Sequence, residues 1–545
     1  MTGQTLTVHA ALARGLAAQG VTTLFGLLGD SNLFMADAFV RAEGGRLVPA
    51  TVEDNAVLMA LGHAAMTGDV GAATVTQGPA VSNAVTALIE GVKGRIPLVL
   101  LAGDTPVSDP YHPQRVAQEA LVAATGAGFV RLRGPTTVFD DLATAFRQAW
   151  TGRRPVVLNM PTDMMWEPAA GAPVVAERGA RSGPPAMGKA LEDAVGIIAA
   201  ARAPVILAGR GAIGAREALE RLGARIGAPL STTLKAKGLF GGAVHDLGVF
   251  GTLSTPNGGE AIARADCVIA FGAALGRYTT VRGDYLKGAR LIQIDDDPGA
   301  LGLHQPADAA LLGDAAAVAE TLLHWLDEAE IESSRFTEAL DPQAFLPAGA
   351  LPPAKPGATA PGTIDIEVAM DAIDRALPAD RVFVSDGGRF LNSAWSRIGV
   401  SDARNMLLSV NVGAIGQGLG QAIGAALARP DQTVLLVIGD GGLMLGNPAE
   451  LSSAVREALD LVIVICNDQA YGAEYVQFED RQMDPGLSQF KWPSFAEIGR
   501  AMGAEAHRVT GIYELEAALA ALPGRTGPVV IELMLDPAVV PRLQL

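Results

Sequence analysis

Two periods alternate along this chain. Short, largely β-branched or leucine-rich runs recur at residues 21–25, 47–52, 72–76, 97–102 and 155–160. Between them apolar positions return every three or four residues, as at Leu6, Ala10, Leu12, Leu16 and Ala17, or across the nearly all-apolar stretch 55–66. The first period is that of buried strands and the second that of helices packed on them. Such alternation predicts an α/β domain over residues 1–166, a mostly parallel sheet flanked by helices. The rhythm restarts over 186–340, with strands at 204–208, 267–271 and 291–294, and again over 362–545, with strands at 381–385, 434–438, 461–466 and 529–533. The joining stretches, 167–185 (rich in Ala, Gly and Pro) and 341–361 (prolines at 342, 347, 352, 353, 356 and 361), read as linkers. Three α/β domains, each built on a mostly parallel sheet, are expected.

Composition narrows the function. A length of 545 residues suits about three domains, and the hydrophobic fraction of 49% is ample for their cores. A net charge of -17 with no dense Lys/Arg run argues against nucleic acid or an anionic membrane surface as the main partner. Cys267 and Cys466, the two cysteines, sit at or inside apolar runs and read as buried thiols, so no disulfide framework is implied. The N-terminus lacks the basic start, apolar core and cleavage site of a signal peptide, which makes a cytoplasmic location the expectation. Residues 405–428 carry no charge and are long enough to span a bilayer. Asn405, Asn411, Gln417, Gln421 and five glycines within that stretch instead predict a buried strand, loop and helix.

Candidate chemistry concentrates at strand ends. The run 434–438 stops at Gly439-Asp440-Gly441-Gly442, and the run 461–466 stops at Asn467-Asp468. In open parallel sheets ligands bind at the carboxyl ends of strands. Glycines there let the backbone approach a ligand, and N–H groups beside a helix N-terminus suit an anionic phosphate. A carboxylate with an amide oxygen is a hard, oxygen-only set, suited to magnesium bridging to phosphates. The unit therefore reads as a magnesium-diphosphate site.

Other candidates stay open at this level. Asp30, in Gly29-Asp30-Ser31-Asn32, either caps the next helix or is catalytic. Glu53 opens an apolar helix, where it is a helix-terminal charge or an acid or base with a raised pKa. His112 and Gln118 lie in a polar loop, 105–118. The stretch GRGAIG at 209–214 has dinucleotide-fingerprint spacing but no convincing acidic ribose partner about 20 residues on, so helix–sheet packing explains it better. Asp295-Asp296-Asp297 is either a turn or a ligand site.

Taken together, the GDG at 439–441 followed by Asn467-Asp468, FGLLGDSNL near the start, Glu53, QGPAVSN and NVGAIGQGLGQAIGAALA resemble the thiamine-diphosphate enzymes. The chain is similar to the group containing acetolactate synthase, pyruvate oxidase, benzoylformate decarboxylase and pyruvate decarboxylase. The resemblance implies pyrimidine-binding, central and diphosphate-binding domains in that order. It implies that Asp440, Asn467 and the Gln469 carbonyl hold Mg2+, and that backbone near Gly388, Gly439, Gly441, Gly442, Tyr471 and Gly472 meets the diphosphate. Ile415 would keep thiamine diphosphate bent, the Gly413 carbonyl would accept from its aminopyrimidine, and Glu53 would bond the far ring nitrogen, with Gly78 and Asn83 nearby.

The implied activity is decarboxylation of a 2-oxo acid, followed by aldehyde release or transfer to a second carbonyl acceptor. Asp30, His112, Gln118 and Glu474 are the candidates for deciding between these fates. Asp30 resembles pyruvate decarboxylase and pyruvate oxidase, whereas Gln118-Glu119 resembles the Phe-Gln-Glu loop of synthases and oxidases, with Ala117 in place of Phe. Where flavin-containing members have an Arg-Phe-Asp-Asp-Arg stretch, this chain reads Ala274-Leu275-Gly276-Arg277-Tyr278, which speaks against FAD and against the alternative of a flavin-dependent pyruvate oxidase. A non-catalytic scaffold of the same fold is the alternative of another class. A homodimer or homotetramer is implied by the resemblance alone.

Overall fold

The computed structural model describes residues 6–179 and 187–541. Residues 180–185 of the first expected linker lie outside the described residues. The chain forms three six-stranded sheets whose strand pairs all run parallel. The first holds β1 (Thr23–Gly26), β2 (Arg46–Pro49), β3 (Gly71–Val75), β4 (Leu98–Asp104), β5 (Gly128–Arg131) and β6 (Pro155–Pro161), in the order β2-β1-β3-β4-β6-β5. The second holds β7 (Pro204–Ala208), β8 (Leu230–Thr232), β9 (Asp246–Val249), β10 (Cys267–Phe271), β11 (Arg290–Asp295) and β12 (Ala309–Leu312), ordered β12-β11-β10-β7-β8-β9. The third holds β13 (Val382–Ser385), β14 (Met406–Leu408), β15 (Val434–Gly439), β16 (Leu461–Asn467), β17 (Glu505–Val509) and β18 (Val529–Met534), ordered β14-β13-β15-β16-β18-β17. The first and third sheets thus repeat one topology.

The fold class expected from the apolar rhythm is the one observed. Most strands it did not predict (β5, β9, β12 and β17) are sheet edges, the exception being β8. Edge strands are short and half-solvated; β17 reads EAHRV, with Glu505 and Arg508 exposed, so it carries no apolar run to read. The uncharged 405–428 stretch becomes β14, a loop and the helix Gly418–Ala428, and among the described residues no helix is long and apolar enough to cross a membrane. Both cysteines are buried and free, and burial pushes the Cys267 thiol up to about 12.

A close helix–helix contact joins the first and third domains. The helix Glu53–Thr67 after β2 lies against the helix Gly418–Ala428 after β14, and apolar residues from both domains merge into one core. Small residues make this possible. A Cβ at Gly62 would fall 2.0 Å from the Gln421 carbonyl oxygen, and one at Gly424 would fall 1.9 Å from that of Met59. Nothing larger than hydrogen fits there without moving a backbone.

The central domain joins the first through ion pairs at the carboxyl end of β11: Arg153 with Asp296 and Arg95 with Asp297. This resolves the Asp295-Asp296-Asp297 run, whose second and third carboxylates brace another domain. The GRGAIG stretch is a 3-10 turn, Arg210–Ala215, packed on Gly272, where a Cβ at Gly209 would meet the Gly272 carbonyl oxygen at 2.1 Å.

Replacing Gly62 or Gly424 by Ala should therefore lower stability by roughly 1–3 kcal/mol, the usual cost of overpacking. Gly196, in the helix Lys189–Ala200, has open space around its missing Cβ. There alanine should be neutral or stabilising by up to about 1 kcal/mol. Thermal or denaturant unfolding of the three variants checks this.

Candidate functional site

The strands β15 and β16 pair to their ends, Gly439 opposite Cys466, so Asp440 and Asn467 leave the sheet side by side. Asp440 opens the short helix Asp440–Leu445, and its side chain is 2% exposed. Its Oδ1 accepts the Gly441 N–H at 2.7 Å, while Oδ2 makes no hydrogen bond. The Gln469 N–H and the Trp492 indole are near enough to lower the Asp440 carboxyl, although Trp492 Nε1 makes no hydrogen bond. Burial first, and repulsion from Asp468 second, push that carboxyl up to about 7. Asp468 is itself raised to about 6 by burial, against the pull of the Arg389 guanidinium. Two buried carboxylates this close, one with a bare oxygen, form a donor set that a hard cation satisfies.

Asn467 is held in one orientation at both ends of its amide. Its Nδ2 donates to Glu532 Oε1 at 2.9 Å, and its Oδ1 accepts the Gln469 N–H at 3.2 Å. Gln469 has a left-handed backbone (φ 56°), which turns the chain between β16 and the helix Gly472–Asp480. The turn is clamped from outside: the Phe490 N–H donates to the Gln469 carbonyl at 2.8 Å, and the Tyr471 N–H donates to the Ser488 carbonyl at 2.9 Å. The Tyr471 N–H is therefore already engaged, whereas Gly472 opens the helix.

The pocket at these strand ends is lined by Gly388, Ile415, Gly439, Asp440, Gly441, Gly442, Tyr471, Gly472 and Glu474, along with Gly387, Arg389 and Asp468. Its glycines are sterically required. A Cβ on Gly441 would sit 2.5 Å from the Tyr471 ring, on Gly442 2.6 Å from Asp386 Oδ2, and on Gly388 2.3 Å from Phe390. A bare carboxylate oxygen beside a glycine cradle fits a divalent cation carrying a diphosphate. Asn467, Gln469 and Gly413 are not among the pocket's lining residues; Gly413 is exposed with φ 79°.

Three residues here were not singled out from sequence as site residues. Asp386, wholly buried and pushed to about 7 by burial, accepts the Gly416 N–H (2.8 Å) and the Gln417 N–H (3.3 Å), fixing the backbone next to Ile415. Arg389 lines the pocket and donates to the carbonyls of Pro537 and Val540, pinning the C-terminal segment beside it. Asp468 completes the carboxylate pair. A readable signal existed for Asp386: it follows β13 and precedes two glycines, as Asp440 follows the adjacent strand β15.

First-domain candidates gather elsewhere, at the carboxyl edge of the first sheet, and none lines this pocket. Glu53, half-buried, accepts from Asn83 Nδ2 at 3.0 Å. Gly78 (φ 64°) donates its N–H to Gln118 Oε1 at 2.6 Å. The Gln118 amide also donates to the Gly103 carbonyl in β4 and to Asn159 Oδ1 in β6, so this buried side chain ties the Gly78 turn to two strands. His112 Nδ1 accepts the Gln114 N–H, and Gln114 bonds Gln77. Asp30 is exposed and caps nothing: Asn32 occupies the N-cap of the helix Leu33–Arg41, and neither Asp30 nor Ser31 serves the helix as expected. Ser31 bonds Thr76 instead, and the Asn32 side chain bonds Gly29, Leu27 and Thr74.

Family comparisons agree with this geometry. Residues 6–125 match the thiamine pyrophosphate enzyme N-terminal TPP binding domain, residues 191–322 the central domain, and residues 386–533 the C-terminal TPP binding domain. A probable 2-ketoarginine decarboxylase of Pseudomonas aeruginosa is 31% identical, over 97% of this chain and 94% of its own length. Sulfoacetaldehyde acetyltransferase of Alcaligenes xylosoxydans xylosoxydans is 28% identical, over 94% and 90%. The acetolactate synthase isozyme 2 large subunit of Escherichia coli is 27% identical, over 98% and 96%. With all three domain types matched in order, and a relative 31% identical over 97% of its length, the chain belongs to the thiamine pyrophosphate enzymes.

Proposed function

We propose that this enzyme decarboxylates a 2-oxo acid with magnesium-held thiamine diphosphate, and then releases an aldehyde or passes the acyl unit to a second carbonyl acceptor. The observation that carries the reading is the buried Asp440 with its bare Oδ2, set beside Asn467 and a glycine cradle. When bound, thiamine diphosphate supplies a nucleophilic thiazolium carbon and takes up the electron pair released with carbon dioxide.

The chain's own residues do the rest. Asp440, Asn467 Oδ1 and the Gln469 carbonyl hold the cation, and Glu532 keeps the Asn467 amide from turning over. Ile415 would support the bound cofactor, the Gly413 carbonyl would accept from its aminopyrimidine, and Glu53, steadied by Asn83, would hold a proton at the far ring nitrogen. Glu474, exposed in the first turn of Gly472–Asp480 and lining the pocket, is placed to move a proton to product. Because Glu53 lies away from the pocket of its own chain, the complete site is formed between two copies in a homodimer or homotetramer. A flavin-free enzyme is favoured by the contact of Gly209 and Gly211 with Gly272, which closes the central sheet's switch point with backbone.

Three outcomes check this reading. Glu53→Gln, saturated with cofactor, should lose about 10²-fold or more in turnover, the scale of a removed general acid–base group; wild-type turnover would dismiss the role of Glu53. A panel of pyruvate, branched and aromatic 2-oxo acids and 2-ketoarginine, assayed for carbon dioxide, aldehyde and acyloin, should show release from at least one, with no FAD freed on denaturation.

The third concerns pH. The Asp440 carboxyl is raised in the folded chain from 3.8 to about 7, so the folded form binds the extra proton. Without divalent cation, stability should fall as pH rises through that window and level off above it. Asp440→Asn should then melt a few degrees above wild type at pH 8 without magnesium, and magnesium should stabilise only the wild type.

A further inference from the structure

The loop 411–415, which carries Gly413 and Ile415, is gripped by two other domains. Glu90, fully buried in the first-domain helix Val85–Gly94, accepts the Asn411 N–H at 3.2 Å, Asn411 Nδ2 at 2.6 Å and the Val412 N–H at 2.9 Å. Lys235 of the central domain, in the 3-10 turn Leu234–Ala236, donates through Nζ to Asn411 Oδ1. The Asn411 amide is thus held at its nitrogen by a carboxylate of one domain and by the Leu408 carbonyl of its own (3.1 Å), and at its oxygen by an ammonium of another domain.

Little else fixes the end of this loop. Gly413 is exposed, and a Cβ there would touch nothing within 4 Å. Its N–H reaches the Val410 carbonyl at 3.1 Å, a local turn that does not tie it to another element. The polar anchors just before Gly413, and the Asp386 bonds to Gly416 and Gln417 just after Ile415, are therefore what locate the two residues between them.

Lys235 neighbours the turn Arg210–Ala215, where the carboxyl ends of β7 and β10 are closed by backbone. The Gly209 N–H donates to the Phe271 carbonyl (2.8 Å) and the Gly211 N–H to the Gly272 carbonyl (3.2 Å), so the backbone donors a phosphate would use are taken. Arg210 between them donates to the Gly94 carbonyl of the first domain at 2.6 Å, at the end of the helix bearing Glu90. Burial, and then the neighbouring Arg210 charge, lower Lys235 to about 8, while Glu90 opposes the shift. A buried ammonium of this kind needs its partners, and losing one side of such a network leaves buried polar groups unsatisfied.

We propose that Lys235 is a positioning residue: with Glu90 it holds Asn411 so that the Gly413 carbonyl and the Ile415 side chain stand where thiamine diphosphate meets them. This rests on the reading above that those two residues contact the cofactor.

The test compares the full-length wild type with Lys235→Met, Lys235→Arg and Arg153→Ala, the last of which breaks a different central-to-first-domain ion pair, that with Asp296. Two quantities are read: the Kd for thiamine diphosphate in magnesium, by calorimetry, and amide hydrogen exchange of residues 411–415 without cofactor. Lys235→Met should weaken the Kd by about tenfold or more, the scale of losing a supporting partner. It should also speed exchange in the loop, and Lys235→Arg should recover most of both. Arg153→Ala should leave both at wild-type values. Wild-type Kd and exchange in Lys235→Met, or equal losses in Arg153→Ala, would overturn the proposal.

If Lys235→Met does not accumulate folded, Glu90→Gln, which keeps the shape of the opposite anchor, should speed loop exchange. Unchanged exchange there overturns the proposal as well. A wild type that fails to bind thiamine diphosphate would remove the cofactor reading, and faster loop exchange in Lys235→Met would still establish the anchor.

Discussion

The arrangement depends on a steric fact: no side chain fits between the helices Glu53–Thr67 and Gly418–Ala428 at Gly62 and Gly424. Backbone lies against backbone, and the cores of two domains become one. The consequence reaches the pocket through short segments of chain. The residues before Gly418 form the loop that holds Ile415, and Thr51, just before Glu53, gives its N–H and hydroxyl to the buried Glu450 of the third domain. Fixing one helix pair therefore fixes the approach to both halves of the catalytic apparatus.

Electrostatics supplies the second organising constraint. Asp386, Asp440 and Asp468 are buried within the third domain, each pushed above the usual carboxylate range chiefly by loss of water. They are compensated differently. Asp386 is bonded by backbone N–H groups and is structural, Asp468 is faced by Arg389, and Asp440 keeps one oxygen bare. Only the last difference points to a cation, and it does so where β15 and β16 end together. A buried acidic set with an unsatisfied oxygen costs folding energy that a bound ion returns.

Sequence made much of this legible, for physical reasons that also explain the gaps. Buried parallel strands are continuous apolar runs, so β3, β4, β6, β7, β10, β15, β16 and β18 could be read directly, and the glycines and acids at their ends marked the diphosphate cradle. Edge strands such as β17 are half polar and carried no such mark. Glu90 and Lys235 were invisible as site-builders, because each acts on Asn411 across a domain boundary, 321 and 176 residues away in the chain. Gln118 shows the same limit from the other side: its residue type suggested chemistry, but folding sets its amide to tie the Gly78 turn to β4 and β6. Local pattern reveals elements and strand-end chemistry; only the tertiary arrangement reveals which side chains are already engaged.

The most direct measurement is calorimetric titration of thiamine diphosphate into the full-length protein, with and without magnesium, for the wild type and Asp440→Ala. The account predicts saturable binding to the wild type that requires magnesium, and no measurable binding to Asp440→Ala while that variant remains folded. Binding to the wild type that ignores magnesium, or survives unchanged in Asp440→Ala, would contradict it.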